Sequence, residues 1–345
     1  MPPRALRYLL LFTGALGYVT SLAQSPQVRT SEFVYDQAPF PSCHASTVVE
    51  LAPGRIRAAW FGGTRESHPD VTIWTALREA GRWSVPVEVA TGVQAGGRRY
   101  PCWNPVLFQT RAGLLFLFYK VGPNPRAWWG EVKRSTDGGT TWSAAERLPE
   151  GFLGPVKNKP IQLPGGDLLC PSSTESVDEK VWAIHLERCD ADGRNWRKIP
   201  IDRGTFGVIQ PSILTYPDGR MQLLCRSRQN AVVETWSTDG GETWGPLRAT
   251  SLPNPNSGTD AVTLKNGMQV LVYNPLNGGK SGWGSRAVLR VAVSKNGSDW
   301  RDVHTLEGGP TGEFSYPALV QGTDGTVHLT YTHDRKRIRY VQMRW

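Results

Sequence analysis

Six polar residues recur along the 345-residue chain at intervals of 60, 55, 51, 50 and 56: His44, Asn104, Lys159, Gln210, Asp260 and Tyr316. Each can donate, accept or titrate, and each opens a short apolar run. Three arginines, Arg65, Arg226 and Arg286, fall at or beyond the ends of later apolar runs. The planar guanidinium fork grips a carboxylate through two parallel hydrogen bonds, which an ammonium group cannot match. Gathered on one rim, these residues would capture an anionic group, with the polar leads as further contacts. Carboxylates lie nearby in sequence: Asp70 in FGGTRESHPD, beside Glu66 and His68, and Glu313, three residues before Tyr316.

The elements that must position these residues are strands. Each lead opens one phrase: HASTVVELAPG, NPVLFQTRAG, KPIQLPGGD, QPSILTYPDG, DAVTLKNG and YPALVQGTDG. A Gly turn ends each phrase, and a second apolar strand follows. A third strand then runs into a tight turn and a tryptophan, most sharply in Ser135–Trp142 and Ser237–Trp244. Asp or Asn before Gly favours a tight hairpin, and the Trp packs the loop down. Trp83, Trp142, Trp196, Trp244 and Trp300 keep step with the leads, and helical periodicity is nearly absent. A strand-rich repeat near 50 residues reads as a blade repeat, so six copies predict an all-β, six-bladed β-propeller. The first strand of a blade starts beside the central channel, which makes the six leads a ring.

Residues 1–23 read as a secretory signal: Arg4 and Arg7, an apolar run from Leu9 to Leu16, then Ser21-Leu22-Ala23. The run is short of the ~20 residues that span a bilayer. Residues 24–345 then form a single propeller domain, secreted or periplasmic, with no stable membrane partner once the signal is removed. The net charge of +9 favours an anionic partner. Basic residues are scattered singly except for Arg335-Lys336-Arg337, which points away from nucleic acid and toward an acidic glycan. Five cysteines show no metal-ligand spacing; Cys43 and Cys102 sit at nearly equivalent places in successive repeats, compatible with a disulfide. No metal or cofactor motif is present.

The turn S-x-D-x-G-x-T-W, twice intact and twice degraded at blade spacing, resembles the Asp-box of the sialidase (neuraminidase) superfamily. The resemblance spans essentially the whole mature chain and implies a sialidase-type propeller and a retaining exo-glycoside hydrolase releasing a terminal acidic sugar, sialic acid or a related ulosonic acid. Residue by residue, it implies that Tyr316 is the nucleophile, Asp70 the acid/base, and Arg226 and Arg286 two arginines that hold the sugar carboxylate. Arg65 resembles the extra arginine after the first blade's second strand. Two places depart from the pattern: His44 stands where an arginine is expected, as a pH-dependent donor, and Gln210 stands where the tyrosine's glutamate belongs. Glu313 is then the candidate partner of Tyr316. The rival readings are a polysaccharide lyase acting on uronates through His44 and Tyr316, and a glycan-binding propeller without catalysis.

Overall fold

The apolar runs of the second strands are buried almost without interruption, packed between neighbouring blades on both faces, and each repeat closes into one four-stranded antiparallel blade. The computed structural model describes residues 25–281 and 283–345, so the predicted signal lies outside the described residues. The innermost strands of the six blades are Ser42–Ala52, Cys102–Gln109, Ile161–Gln162, Val208–Thr215, Asp260–Thr263 and Phe314–Gln321. In every blade the next strand pairs with the innermost one through the Gly turn, and a third and fourth strand follow outward. The first blade adds a short fifth strand, Val87–Ala90. The last blade is completed by the N-terminal strand Gln27–Phe33, which pairs antiparallel with Arg337–Arg344 and closes the ring. Apolar clusters lie between successive blades; one packs Val49, Ala59 and Phe61 of the first against Leu107, Leu117 and Tyr119 of the second. Among the described residues no helix is long and apolar enough to cross a membrane.

The outer turns are self-contained. Ser237 Oγ donates to Asp239 Oδ1 at 2.8 Å and accepts the Gly241 amide at 3.0 Å. Asp239 also accepts the Thr243 amide and hydroxyl. Gly241 has φ +89°, a left-handed conformation that glycine adopts without Cβ strain. Ser135, Asp137, Gly139 and Thr141 repeat the pattern one blade-pair earlier. The Thr243 hydroxyl, with its amide and Ser237, holds the Asp239 carboxyl down at about 2, and Asp137 is lowered the same way. A carboxyl lowered on folding contributes stability that is full above its unfolded value near ~3.9 and is lost as pH falls through its folded value. Asp239→Asn should therefore melt below wild type at neutral pH, with the gap narrowing as pH falls from about 4 toward about 2. Thermal unfolding across that range is the measurement; a pH-independent gap would show that the carboxylate charge plays no part.

All five cysteines are buried free thiols, so Cys43 and Cys102 are not bridged. Cys43 Sγ instead accepts the Tyr35 hydroxyl at 3.0 Å. Burial pushes the Cys43 thiol up to about 12, against the opposing bond from Tyr35.

Candidate functional site

The axial ring is set by the Gly turns. The last paired residue of five innermost strands is Gln109, Gln162, Thr215, Thr263 or Gln321; in the first blade pairing runs on to Ala52 past a bulge after Glu50, which takes the equivalent place. Five residues upstream stand Ala45, Asn104, Lys157, Gln210, Gly258 and Tyr316. Four of these have positive φ without being glycine: Ala45 (55°), Asn104 (37°), Gln210 (57°) and Tyr316 (54°). Each lies in a β-bulge, where the register slips between His44 and Thr47, Trp103 and Val106, Ile209 and Ser212, or Ser315 and Ala318. Such residues cost about 1–3 kcal/mol each and persist where the surroundings over-determine them. A Cβ on Gly258 would lie 3.1 Å from Lys157, 3.2 Å from Gln210 and 3.2 Å from Tyr316, so three blades meet there.

This register corrects half of the sequence-derived ring. Asn104, Gln210 and Tyr316 are axial, but the first, third and fifth positions belong to Ala45, Lys157 and Gly258 rather than His44, Lys159 and Asp260. Lys159 and Asp260 pair with each other at 2.9 Å, and Asp260 also accepts the Ser212 hydroxyl and the Leu319 amide. That pair ties the third, fourth, fifth and sixth blades together and does not line the cavity. Lys157 is 3 % exposed, its ammonium saturated by Asn158 Oδ1 and the Thr259 and Pro317 carbonyls at 2.6–2.8 Å.

Above the ring opens a cavity of about 210 Å³ whose wall includes Asn104, Gln210, Arg226, Arg286, Tyr316 and Arg335. Arg226 donates to the Tyr316 hydroxyl at 2.7 Å and to Asn256 Oδ1 at 2.7 Å, and Gln210 Nε2 donates to the same phenol oxygen at 3.3 Å. Arg286 and Arg335 converge on one carboxylate, Glu313, at 3.2 and 2.8 Å. Arg335 also pairs with Glu66. Asn256, in the NPNSGTD approach to the fifth blade, accepts Arg286 on its carbonyl as it accepts Arg226 on its side chain. Three guanidinium groups thus share one basin, each oriented by an acceptor.

The third cation is Arg335, not Arg65, which is exposed and does not line the cavity. Arg335 follows the end of its blade's second strand, Val327–His333, by two residues, as Arg65 follows Arg55–Gly63. The signal was therefore present, hidden inside a run that reads as a solvated basic patch. Glu313 does not touch Tyr316; its carboxylate serves the two arginines. His44 lies behind Tyr316, ring centroids 4.1 Å apart, with Nδ1 on the Thr332 hydroxyl at 3.0 Å. Burial, reinforced by Arg335, Arg286, Arg226 and Lys157, holds it well below its ordinary value. It stays neutral and does not line the cavity, so it is neither a titrating donor nor a base facing substrate.

Carboxyls on the cavity wall are Glu66 and Glu175. Asp70 is not among them. Its burial raises it, but the Thr64 hydroxyl and amide at 2.6 and 3.0 Å, with His68, outweigh that and lower it. Glu175 is raised by burial against the pull of Arg226, Arg228 and Arg126. Four tryptophans, Trp103, Trp128, Trp182 and Trp283, complete the wall. Trp128 faces the cavity while Trp129 packs edge-on against Tyr100, dividing that pair between two jobs. In a larger groove of about 500 Å³ on the first two blades, Glu131 is engaged by Tyr119 and Trp129, and Lys133 by the Val89 carbonyl.

A six-bladed ring of Asp-box blades around three arginines and a tyrosine defines a sialidase-type propeller. The chain belongs to the BNR repeat-like domain family, which it matches over residues 54–329. It is 27 % identical over 224 residues to the anhydrosialidase of Macrobdella decora, a stretch that is 58 % of this chain and 29 % of that protein. The chain thus spans less than a third of that relative's length. Among solved structures, a protein of unknown function from Dyadobacter fermentans superposes with a TM-score of 0.75 at 16 % identity, covering 93 % of this chain and 99 % of that one. The intramolecular trans-sialidase of Ruminococcus gnavus gives 0.70 at 15 %, covering 91 % and 96 %, and the NanB sialidase of Streptococcus pneumoniae gives 0.69 at 12 %, covering 91 % and 70 %. At these identities the structures share the fold.

Proposed function

We propose that the protein is a secreted exo-glycosidase that releases a terminal acidic sugar, sialic acid or a related ulosonic acid, from a glycan, with retention through Tyr316. The observation that carries this reading is the convergence of Arg226, Arg286 and Arg335 beside the Tyr316 hydroxyl. Three guanidinium groups suit one carboxylate, and a tyrosine nucleophile suits an anomeric carbon that bears one. As the phenol proton leaves to solvent in the cavity and the oxygen bonds to the anomeric carbon, charge developing on that oxygen has the Arg226 cation 2.7 Å away and a second donor in Gln210. The cavity, at about 210 Å³, is below the ~300–1,000 Å³ of drug-sized sites and admits a terminal sugar rather than a polymer passing through. The lyase reading needs a base facing substrate, and neutral His44 behind Tyr316 does not supply one.

The leaving oxygen needs a proton. Glu66 is committed to Arg335, and Asp70, the acid/base by resemblance, is held charged by Thr64 and His68. Glu175 is the wall carboxyl whose surroundings favour the protonated form, and we assign it the general-acid role. Glu175→Gln should slow hydrolysis of a natural glycan by about 10²–10⁴ and that of an aryl glycoside with an acidic leaving group far less. Asp70→Asn should stay close to wild type on both. The reverse ranking of the two variants would return the role to Asp70. Product analysis on a panel of acidic glycosides tests the function itself: release of the free acid sugar supports it, and an unsaturated product absorbing in the near ultraviolet would replace it with the lyase.

A further inference from the structure

The Gly turns between first and second strands lie at the far end of the innermost strands from the ring, and they form a repeat of their own. In five of them the turn glycine donates to the carbonyl three residues earlier: Thr110, Leu163, Tyr216, Leu264 and Gly322. Four of those positions carry a buried side chain. In the sixth blade the position is Gly322, and a Cβ there would lie 2.7 Å from Glu50 Oε1 and 2.9 Å from His328 Nε2. The glycine leaves an opening between two polar atoms from different blades.

Both atoms are unusual for their positions. At the place of Glu50, three other blades carry Gln109, Gln162 and Gln321, each of which donates to its own turn carbonyl. A carboxylate cannot donate. Glu50 Oε2 instead accepts the Thr323 amide at 2.6 Å, joining the first blade to the sixth, and Oε1 turns toward His328 Nε2, 3.9 Å away. At the place of His328 the fourth blade carries Gln222, whose amide is fully engaged by Tyr216, Glu234 and the Gly297 carbonyl. His328 is 3 % exposed; its Nδ1 meets the Tyr340 hydroxyl at 2.7 Å, and its Nε2 has no hydrogen-bond partner among the described residues. A buried ring nitrogen left without a partner is destabilising, so its position needs a reason. Asp324, from the same turn, brings a third ligand atom, all three lying within 4.8 Å of one another.

We infer that Glu50, Asp324 and His328 form a binding site for a divalent transition-metal cation of the zinc class, at the seam where the sixth blade meets the first. One imidazole and two carboxylates are ordinary ligands for such an ion, and water completes the set. Tetrahedral ligands at about 2.0–2.1 Å from the metal stand about 3.3 Å apart, so the three atoms, none more than 4.8 Å from another, need to close by at most about 1.5 Å. Tyr340 fixes the ring through Nδ1, the outer contact that metal-bound histidines characteristically have. The cation would bridge residues 274 positions apart, which is why no spacing of ligands in the sequence announces it.

The test is calorimetric titration of zinc-free protein with zinc chloride alone, with thermal unfolding alongside. Wild type should bind one zinc per chain and melt higher with zinc present. Glu50→Gln and His328→Gln install residues that other blades already carry at those positions, and Gly322→Ala fills the opening. Each should weaken binding by more than about a hundredfold, since even changes outside the ligand set cost about 10–100-fold. Cobalt(II) in place of zinc should show visible bands in wild type that His328→Gln abolishes. Absence of saturable uptake at one per chain, or unchanged affinity in His328→Gln, would overturn the site; the second outcome would place the ion elsewhere, with the part-exposed pairs His68–Asp70 and His333–Asp334 next to be substituted.

Discussion

Tyr316→Phe should fold as wild type and, on the proposed function, lose turnover by about 10³-fold or more on every substrate that wild type turns over. The ring is 9 % exposed, packs on His44 at 4.1 Å and lies under Lys157 at 5.7 Å, contacts that phenylalanine retains. What disappears is one oxygen, held between Arg226 and Gln210. If that oxygen is the nucleophile, its loss removes the covalent route, and deletions of nucleophiles in other hydrolases cost up to about 10⁶. The arginine basin survives the change, so a free acidic sugar should still bind the variant. Steady-state rates, an unchanged melting temperature and retained product inhibition together make the case. Turnover within tenfold of wild type would end the nucleophile assignment while leaving the basin intact.

Arg226→Lys should be nearly as damaging, for a different reason. Arg226 is 4 % exposed and places one face of its fork on Tyr316 and another on Asn256. Lysine keeps the charge and forfeits the fork, leaving Asn256 Oδ1 and the phenol oxygen with at most one of two donors. Breaking a buried, hydrogen-bonded charge contact costs about 2–5 kcal/mol, which is about 30- to several-thousand-fold in kcat/KM. On the proposed mechanism the loss should appear in both KM and kcat, because the same guanidinium would hold substrate and steady the phenol oxygen. The inhibition constant of a free acidic sugar should rise with it, whereas that of the sugar's methyl ester should change little. Equal losses for acid and ester would mean that Arg226 orders the site without reading charge.

The blades were legible in the sequence because local chemistry writes them. Asp239, Gly241 and Trp244 make their turn with no help from elsewhere, so their spacing alone carries the fold. The ring was legible by halves. Asn104, Gln210 and Tyr316 precede prolines at the bulge, and matching the residue before Pro found them. The third and fifth blades place proline or alanine two residues later relative to the turn, so the same rule chose Lys159 and Asp260. Counting back from the Gly turn, which fixes register, yields Lys157 and Gly258. Arg335 stands at the phase of Arg65 but is masked by Lys336 and Arg337, and Glu175, the last residue of Leu168–Glu175, has no acidic counterpart at the ends of the other second strands to mark it. The closed loop of Glu313 between two arginines is likewise a contact between strand ends that meet only after the ring forms.

Ring closure by Gln27–Phe33 against Arg337–Arg344 joins Thr30 to Gln342 across 312 residues. Gln27–Phe33 is therefore seated only after Arg337–Arg344 has emerged, and until it docks Arg337–Arg344 is an open sheet edge, the kind of surface that recruits other chains. Its sequence, RIRYVQMR, carries a cation at alternate places near its start. Arg337 and Arg339 repel a second copy of the same edge during the wait, and afterwards stack on Phe33 of the arriving strand at 3.6 and 4.6 Å from its ring centre. The same two side chains thus guard the unfinished molecule against its neighbours and then latch the finished one.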